Sequence, residues 1–290
     1  MKILNKYRVK IYEILNKFIF INNFSISYYF SRFGNNLQQV AIGLLYSQKT
    51  GSNFYVRNHN LIQDFSIINK PFLNYLSFIK QKHRFFYFDK QSDVPKNILN
   101  YEFVVNNIES VFKNQILPNL DFLTDEGSLE DSLIIHIRSG DIFNIPINSY
   151  YQNPINYYEK LIQEYENVVI VTSEEKNNPV IDSLLRNKKV NLQSSTLKND
   201  FNLLYNAVNL ATSGVGTFPI AAALLSKKLK NLHYTNLFSE EHLNPMMIIN
   251  KNVKHHIYRV EDGYIEKYRR LENFSELILS KNIAVSKLQN

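Results

Sequence analysis

LIIHIRSGDIF, residues 133–143, opens as an almost unbroken apolar run and closes on His136, Arg138, Gly140 and Asp141. The run reads as a strand buried on both faces, and such a strand belongs in a parallel sheet covered by helices. Ligands of these sheets sit outside the carboxyl ends of the strands, so the polar residues ending this one are the first candidates for chemistry.

Outward from this stretch, apolar runs alternate with helical segments. SLIIHIR (132–138), VVIVTS (168–173), VNLQS (190–194), LATSG (210–214) and LKNLHYT (229–235) read as strands. NPINYYEKLIQEYEN (153–167), NPVIDSLLRNKK (178–189), NDFNLLYNAVN (199–209) and TFPIAAALLSKK (217–228) read as the helices between them. Two of these helices open on Asn-Pro, which predicts Asn153 and Asn178 as N-caps with proline in the first turn. The alternation predicts right-handed crossovers and a Rossmann-like domain. Earlier in the chain, strand SISYYF (25–30), turn SRFGNN (31–36), helix LQQVAIGLLYSQKTG (37–51) and strand NFYVRN (53–58) form one βαβ unit. RFFYFD (84–89) reads as a further strand, NYEFVVNNIESVFKNQIL (100–117) as a helix and PNLDFLTDEGSLED (118–131) as a linker. The expected fold is α/β, with two Rossmann-like domains, 1–125 and 126–290, facing across a cleft.

Composition narrows the partners. With 290 residues, 44% of them hydrophobic, the chain is long enough for two domains with real cores. It has no cysteine, which excludes disulfides, thiolate nucleophiles and Cys-held zinc or iron–sulfur centres. The formal charge of +7 favours an anionic partner. Its lysines are scattered, without a basic run interleaved with aromatics, so nucleic acid is not the expected partner. No apolar run approaches the roughly 18 to 20 residues of a membrane span, and the N-terminus lacks a signal core, so the chain reads as cytoplasmic. In KILNKYRVKIYEILNKFIF, Ile3, Tyr7, Ile11, Ile14 and Phe18 fall at helical spacing among lysines. Residues 1–20 could pack on the protein body, or lie at the periphery of an anionic membrane.

Four of the eight glycines, Gly34, Gly140, Gly214 and Gly216, fall in three short segments at strand ends. In HIRSGD the guanidinium of Arg138 offers a fixed fork of donors suited to a diphosphate. Asp141 could orient that fork, or close the strand as half of a buried Arg–Asp pair. In SGVGT, Ser213, Gly214 and Thr217 sit where a strand gives way to a helix, an arrangement that binds anions or simply N-caps the helix at Thr217. In FGNN, Gly34, Asn35 and Asn36 could reach a ligand at the cleft edge or cap the next helix. No D-x-D occurs in the chain, and the adjacent His255 and His256 lack metal-ligand spacing, so no metal site is expected.

In order, RFGNN, HIRSGD, DFNLLYNA (200–207) and ATSGVGTF (211–218) resemble the motifs of the fucosyltransferase superfamily that includes bacterial α1,2-fucosyltransferases and protein O-fucosyltransferases. The resemblance runs from residue 31 to about residue 235. It implies a GT-B-like architecture and inverting, metal-independent transfer of fucose from GDP-fucose to a glycan hydroxyl, with no cofactor beyond the GDP-sugar donor. It further implies that the C-terminal domain binds the donor. Carried over, Arg138 holds the diphosphate and stabilises the departing charge, with Asp141 supporting it or acting as the base, a choice left open. His136 shapes the strand end, Asp200 and Phe201 flank the base or ribose, and Ser213, Gly214, Thr217 and Phe218 form the donor-binding turn. Gly34 and Asn35 reach in from the acceptor side. Ser139 stands where the family's second Arg would be, and Asn36 where Gln is usual, so the chain reads as a divergent member. The alternative is a catalytically inactive glycan- or nucleotide-binding protein of the same fold.

Overall fold

A computed structural model describes residues 23–26, 28–29, 32–74, 81–83, 98–127, 129–144, 150–173, 177–240, 242–270 and 274–288. The expectations for residues 1–20 and for a strand at 84–89 lie outside the described residues. The chain divides into two compact units, Met1–Asp121 and Phe122–Asn290.

In the first unit β1 (Asn23–Ile26) lies between β2 (Asn53–Val56) and β4 (Gln81–His83), parallel to both, and β3 (Phe65–Ile67) adds to β2 antiparallel. Helix α1 (Phe33–Thr50) crosses between β1 and β2. It is buried along most of its length because it packs against β1, β2 and α2 (Tyr101–Val111). Gly43 sits where a Cβ would come within 2.4 Å of the Phe54 ring, so the absent side chain lets helix and strand approach. Gly51 ends α1 in the left-handed conformation, φ 65°, with its N–H donated to the Ser47 carbonyl. The expected turn at 31–36 is shorter than its composition suggested: Phe33, Gly34, Asn35 and Asn36 already belong to the first turn of α1. β1 likewise ends at Ile26, before Tyr28 and Tyr29.

In the second unit the seven strands run in the order β11-β10-β9-β8-β5-β6-β7. These are β5 (Ser132–His136), β6 (Asn167–Val171), β7 (Val190–Gln193), β8 (Asn209–Ala211), β9 (Asn231–Thr235), β10 (Lys254–Val260) and β11 (Val285–Lys287). All neighbours are parallel except β10 and β11. From β5 the chain winds outward through β6 to β7, then returns to β8 on the other side of β5 and winds through β9 to β10. That is the doubly wound Rossmann order, and its switch point falls between β5 and β8.

The helices are α3 (Ile155–Glu164), α4 (Pro179–Leu184), α5 (Leu197–Tyr205), α6 (Thr217–Leu225), α7 (Tyr264–Arg270) and α8 (Ser275–Leu279). Leu133, Ile135 and Ile137 join Tyr157 and Leu161 of α3, Ile181 of α4 and Tyr264 of α7 in one core. By strand alternation Ile134 and His136 face the other side, where α5 and α6 pack on each other. β10 and β11 extend the sheet beyond the run of elements read from sequence. Among the described residues no helix is long and apolar enough to cross a membrane.

Candidate functional site

Both sides of the switch point end in turns rich in polar groups. After β5 the chain runs through Ile137, Arg138, Ser139 and Gly140 into a single helical turn, Asp141–Asn144. Gly140 adopts φ 80°, where glycine is favoured, and exchanges bonds with the Asn177 amide, donating its N–H at 2.6 Å and accepting at 3.3 Å. Ser139 is fully buried, its Oγ 2.8 Å from Thr172 Oγ1 at the end of β6. Ser139 is therefore a core contact between two strand ends. Asn178 caps α4 by accepting the Val180 N–H and donates its own N–H to the Arg138 carbonyl at 2.9 Å. The Arg138 guanidinium lies 4.2 Å from the centre of the Tyr150 ring. The side chain of Asp141 lies outside what the structure describes, so its pairing with Arg138 remains an expectation.

After β8, Thr212 and Ser213 lead to Gly214 at φ 97° and to the start of α6. The N-cap of α6 is Gly216, in extended backbone, and no side chain caps it. Thr217 is thus the first helical residue, which corrects the expectation that it serves as N-cap. Phe218 follows, and its ring lies 5.5 Å from His136 and 5.0 Å from Phe201. Phe201 is fully buried and reaches Phe122 at 6.0 Å. The result is an aromatic column from the end of β5 through α6 and α5 to residue 122. Asp200 is buried too, and its carboxylate accepts the Ser195 N–H at 3.2 and 3.3 Å, at the entry to α5.

The segment Tyr150–Asn153, of which the sequence singled out only Asn153, straps these strand ends together. The Tyr151 carbonyl accepts the Val215 N–H at 3.4 Å, and Gln152 bridges Gly214. The Gln152 carbonyl accepts the Tyr264 hydroxyl at 2.7 Å. Asn153 was expected as the N-cap of α3; the cap is Pro154, with no side-chain bond. Asn153 is instead fully buried, donating to the Thr212 carbonyl at 2.8 Å and accepting the Thr235 hydroxyl at 2.6 Å. Among the described residues, the Ser173 and Ser213 hydroxyls and the Gln152 amide nitrogen are buried without a hydrogen-bond partner. Buried groups of this kind are ordinarily bonded to a protein partner or to an ordered water.

The corresponding place in the first unit is the start of α1. Asn36 Oδ1 lies 3.1 Å from His59 Nε2, and His59 Nδ1 accepts the Leu61 N–H at 3.0 Å. That backbone donor fixes the tautomer: the proton is on Nε2, which donates to Asn36. Burial holds the His59 pKa below its ordinary value. The cap position of α1 is Arg32 and its side chain makes no cap bond, so neither Asn35 nor Asn36 caps the helix. His59, unremarked in the sequence, is the residue that binds Asn36.

His233, His255 and His256 lie on strands β9 and β10 of the second unit. His255 bonds Tyr234 and the Ile248 carbonyl, and His256 bonds Asn231 and stacks on His233 at 4.4 Å. His233 is buried between the hydroxyls of Tyr165, at 2.8 Å, and Tyr258, at 3.4 Å. Desolvation, then His256 and Lys287, lower its pKa to about 3. Among the described residues no three His, Cys, Asp or Glu side chains gather as a metal site.

No family model matches the chain, and no curated protein matches it. Among solved structures it is similar to NodZ alpha-1,6-fucosyltransferase soaked with GDP-fucose, at TM-score 0.37 and 15% identity, over 71% of this chain and 93% of that one.

Proposed function

We propose that the chain is an inverting, metal-independent glycosyltransferase of GT-B type, which transfers a sugar from a GDP-sugar, first of all GDP-fucose, to a hydroxyl of a glycan. The observation that carries this reading is that Arg138 and the Ser213–Thr217 turn follow the two neighbouring strands, β5 and β8, that flank the switch point. Departure of GDP develops negative charge on the diphosphate. A guanidinium fork on one side, with the main-chain N–H groups opening α6 on the other, would stabilise that charge. Phe218 and the Phe201 column would back the nucleoside, and Asp200 would hold the chain entering α5 beside it. The first unit would supply the acceptor side through Gly34 and Asn35. Asp141 is the candidate base or the partner of Arg138.

The test is GDP release from GDP-fucose, with and without glycan acceptors, for the parent, Arg138→Ala and Arg138→Lys. Ala should cost on the order of 100-fold or more in turnover, and Lys should rescue poorly because it keeps the charge without the planar fork. A folded Ala variant with parental turnover and GDP affinity would overturn the donor-site assignment. GDP binding without turnover on any acceptor would favour a catalytically inactive nucleotide-binding protein.

A further inference from the structure

Arg138 is held at both ends by residues outside the motif that contains it. Its carbonyl accepts the Asn178 amide, and the centre of its guanidinium lies 4.2 Å from the centre of the Tyr150 ring. A free arginine side chain samples many rotamers, and a fork that is to meet a diphosphate loses affinity in proportion to the freedom it must give up. An aromatic ring against the guanidinium removes much of that freedom.

The ring is itself well anchored. Tyr150 is partly buried, with His242 at 6.1 Å. The three residues after it are fixed by Val215, Tyr264, Thr212 and Thr235. The strap that carries Tyr150 also fixes Gly214, because a Cβ on Gly214 would lie 2.3 Å from the Tyr151 carbonyl oxygen. One segment thus sets the two sides of the switch point relative to each other.

We propose that Tyr150 is a positioning residue, which orients the Arg138 guanidinium for a nucleoside diphosphate while making no contact with it. The assignment rests on the donor-site reading above. Its test is a double-mutant cycle on GDP affinity, with thermal midpoints measured alongside, using Tyr150→Phe, Tyr150→Leu and Tyr150→Gln in the parent and in Arg138→Ala. Phe keeps the ring and should bind GDP as the parent does. Leu and Gln should each weaken GDP about tenfold in the parent and not at all in Arg138→Ala, since the ring acts through the guanidinium. The same variants should raise KM for the donor and leave KM for the acceptor unchanged. Two non-aromatic replacements of different polarity guard against one of them failing to fold. Parental affinity in a folded Leu or Gln variant would overturn the proposal. An equal loss in both backgrounds would also overturn it, by making Tyr150 a direct ligand contact. If Arg138→Ala does not weaken GDP, the donor-site reading falls first and this assignment falls with it; if only the Tyr150 arm fails, the donor site stands.

Discussion

Both units place glycine and small polar residues after a parallel strand, where a helix begins, and the two sites turn out differently. In the first unit Gly34, Asn35 and Asn36 are wound into α1, and the bond from His59 to Asn36 ties them to the chain after β2. In the second unit Gly214 stays outside its helix at φ 97°, with the strap lying against it and Gly216 capping α6 behind it. In the first turn of α1 the Asn35 and Asn36 N–H groups donate to the Arg32 carbonyl, so that part of the turn is closed within its own segment. A left-handed turn at a strand end must be held by its neighbours, and those neighbours bring the groups that could bind an anion.

The comparison breaks most readily at its glycines. Gly214→Ala places a Cβ against the Tyr151 carbonyl in a conformation that L-residues rarely adopt, and should cost roughly 3 kcal/mol by thermal or denaturant unfolding. Gly216→Ala, two residues on, has extended backbone and meets only Pro219 at 3.9 Å. It should change stability by less than about 0.5 kcal/mol. Equal effects at the two positions would mean that the strap does not fix the turn.

In sequence those two glycines look alike, and so do the two Asn-Pro helix starts. Asn178 does cap α4, as the dipeptide predicts. Asn153 crosses from the end of β8 to that of β9, because the sheet offers it the Thr212 carbonyl and the Thr235 hydroxyl. Local pattern supplies the amide, and the tertiary neighbourhood decides where it bonds. The strands from β5 to β9 were legible because apolar runs such as VVIV survive only in a sheet buried on both faces. β10 was not, since KHHIYRV alternates with polar residues and pairs with the short antiparallel β11. Arg138 and the Gly214 turn could be named from residue types alone. Tyr150 and Gln152 could not, because irregular chain carries no period and their roles depend on elements far away in sequence.

A second pair of positions sharpens the contrast through pH. His233 is buried in the second unit, and its pKa falls from the usual 6.5 to about 3. Between those values the unfolded chain binds a proton that the folded chain refuses, so stability is present above 6.5 and is lost as pH falls toward 3. For one group the slope is at most about 1.4 kcal/mol per pH unit. His233→Gln, which keeps an amide between Tyr165 and Tyr258, should flatten the acid limb of a stability–pH profile by up to that amount. An unchanged limb would place the acid sensitivity on other groups.

His59 provides the sharpest distinction. Its pKa is also lowered by burial, so the sign is the same: stability is lost as pH falls below the ordinary histidine value. The bond to Asn36 is not what lowers it, because Nε2 carries its proton in both the neutral and the charged ring and donates in either state, more strongly in the charged one. What protonation breaks is the bond at Nδ1, where the Leu61 N–H loses its acceptor. Asn36→Ala should therefore cost about 1 kcal/mol of stability through the unpaired Nε2–H. It should also leave the His59 midpoint, followed by NMR of the ring protons, below the ordinary range. A midpoint restored to the usual value would show that Asn36, and not burial, sets the charge state of His59. The first turn of α1 would then be tied to the charge state of His59 through Asn36, and so would depend on a neighbour as the Gly214 turn depends on its strap.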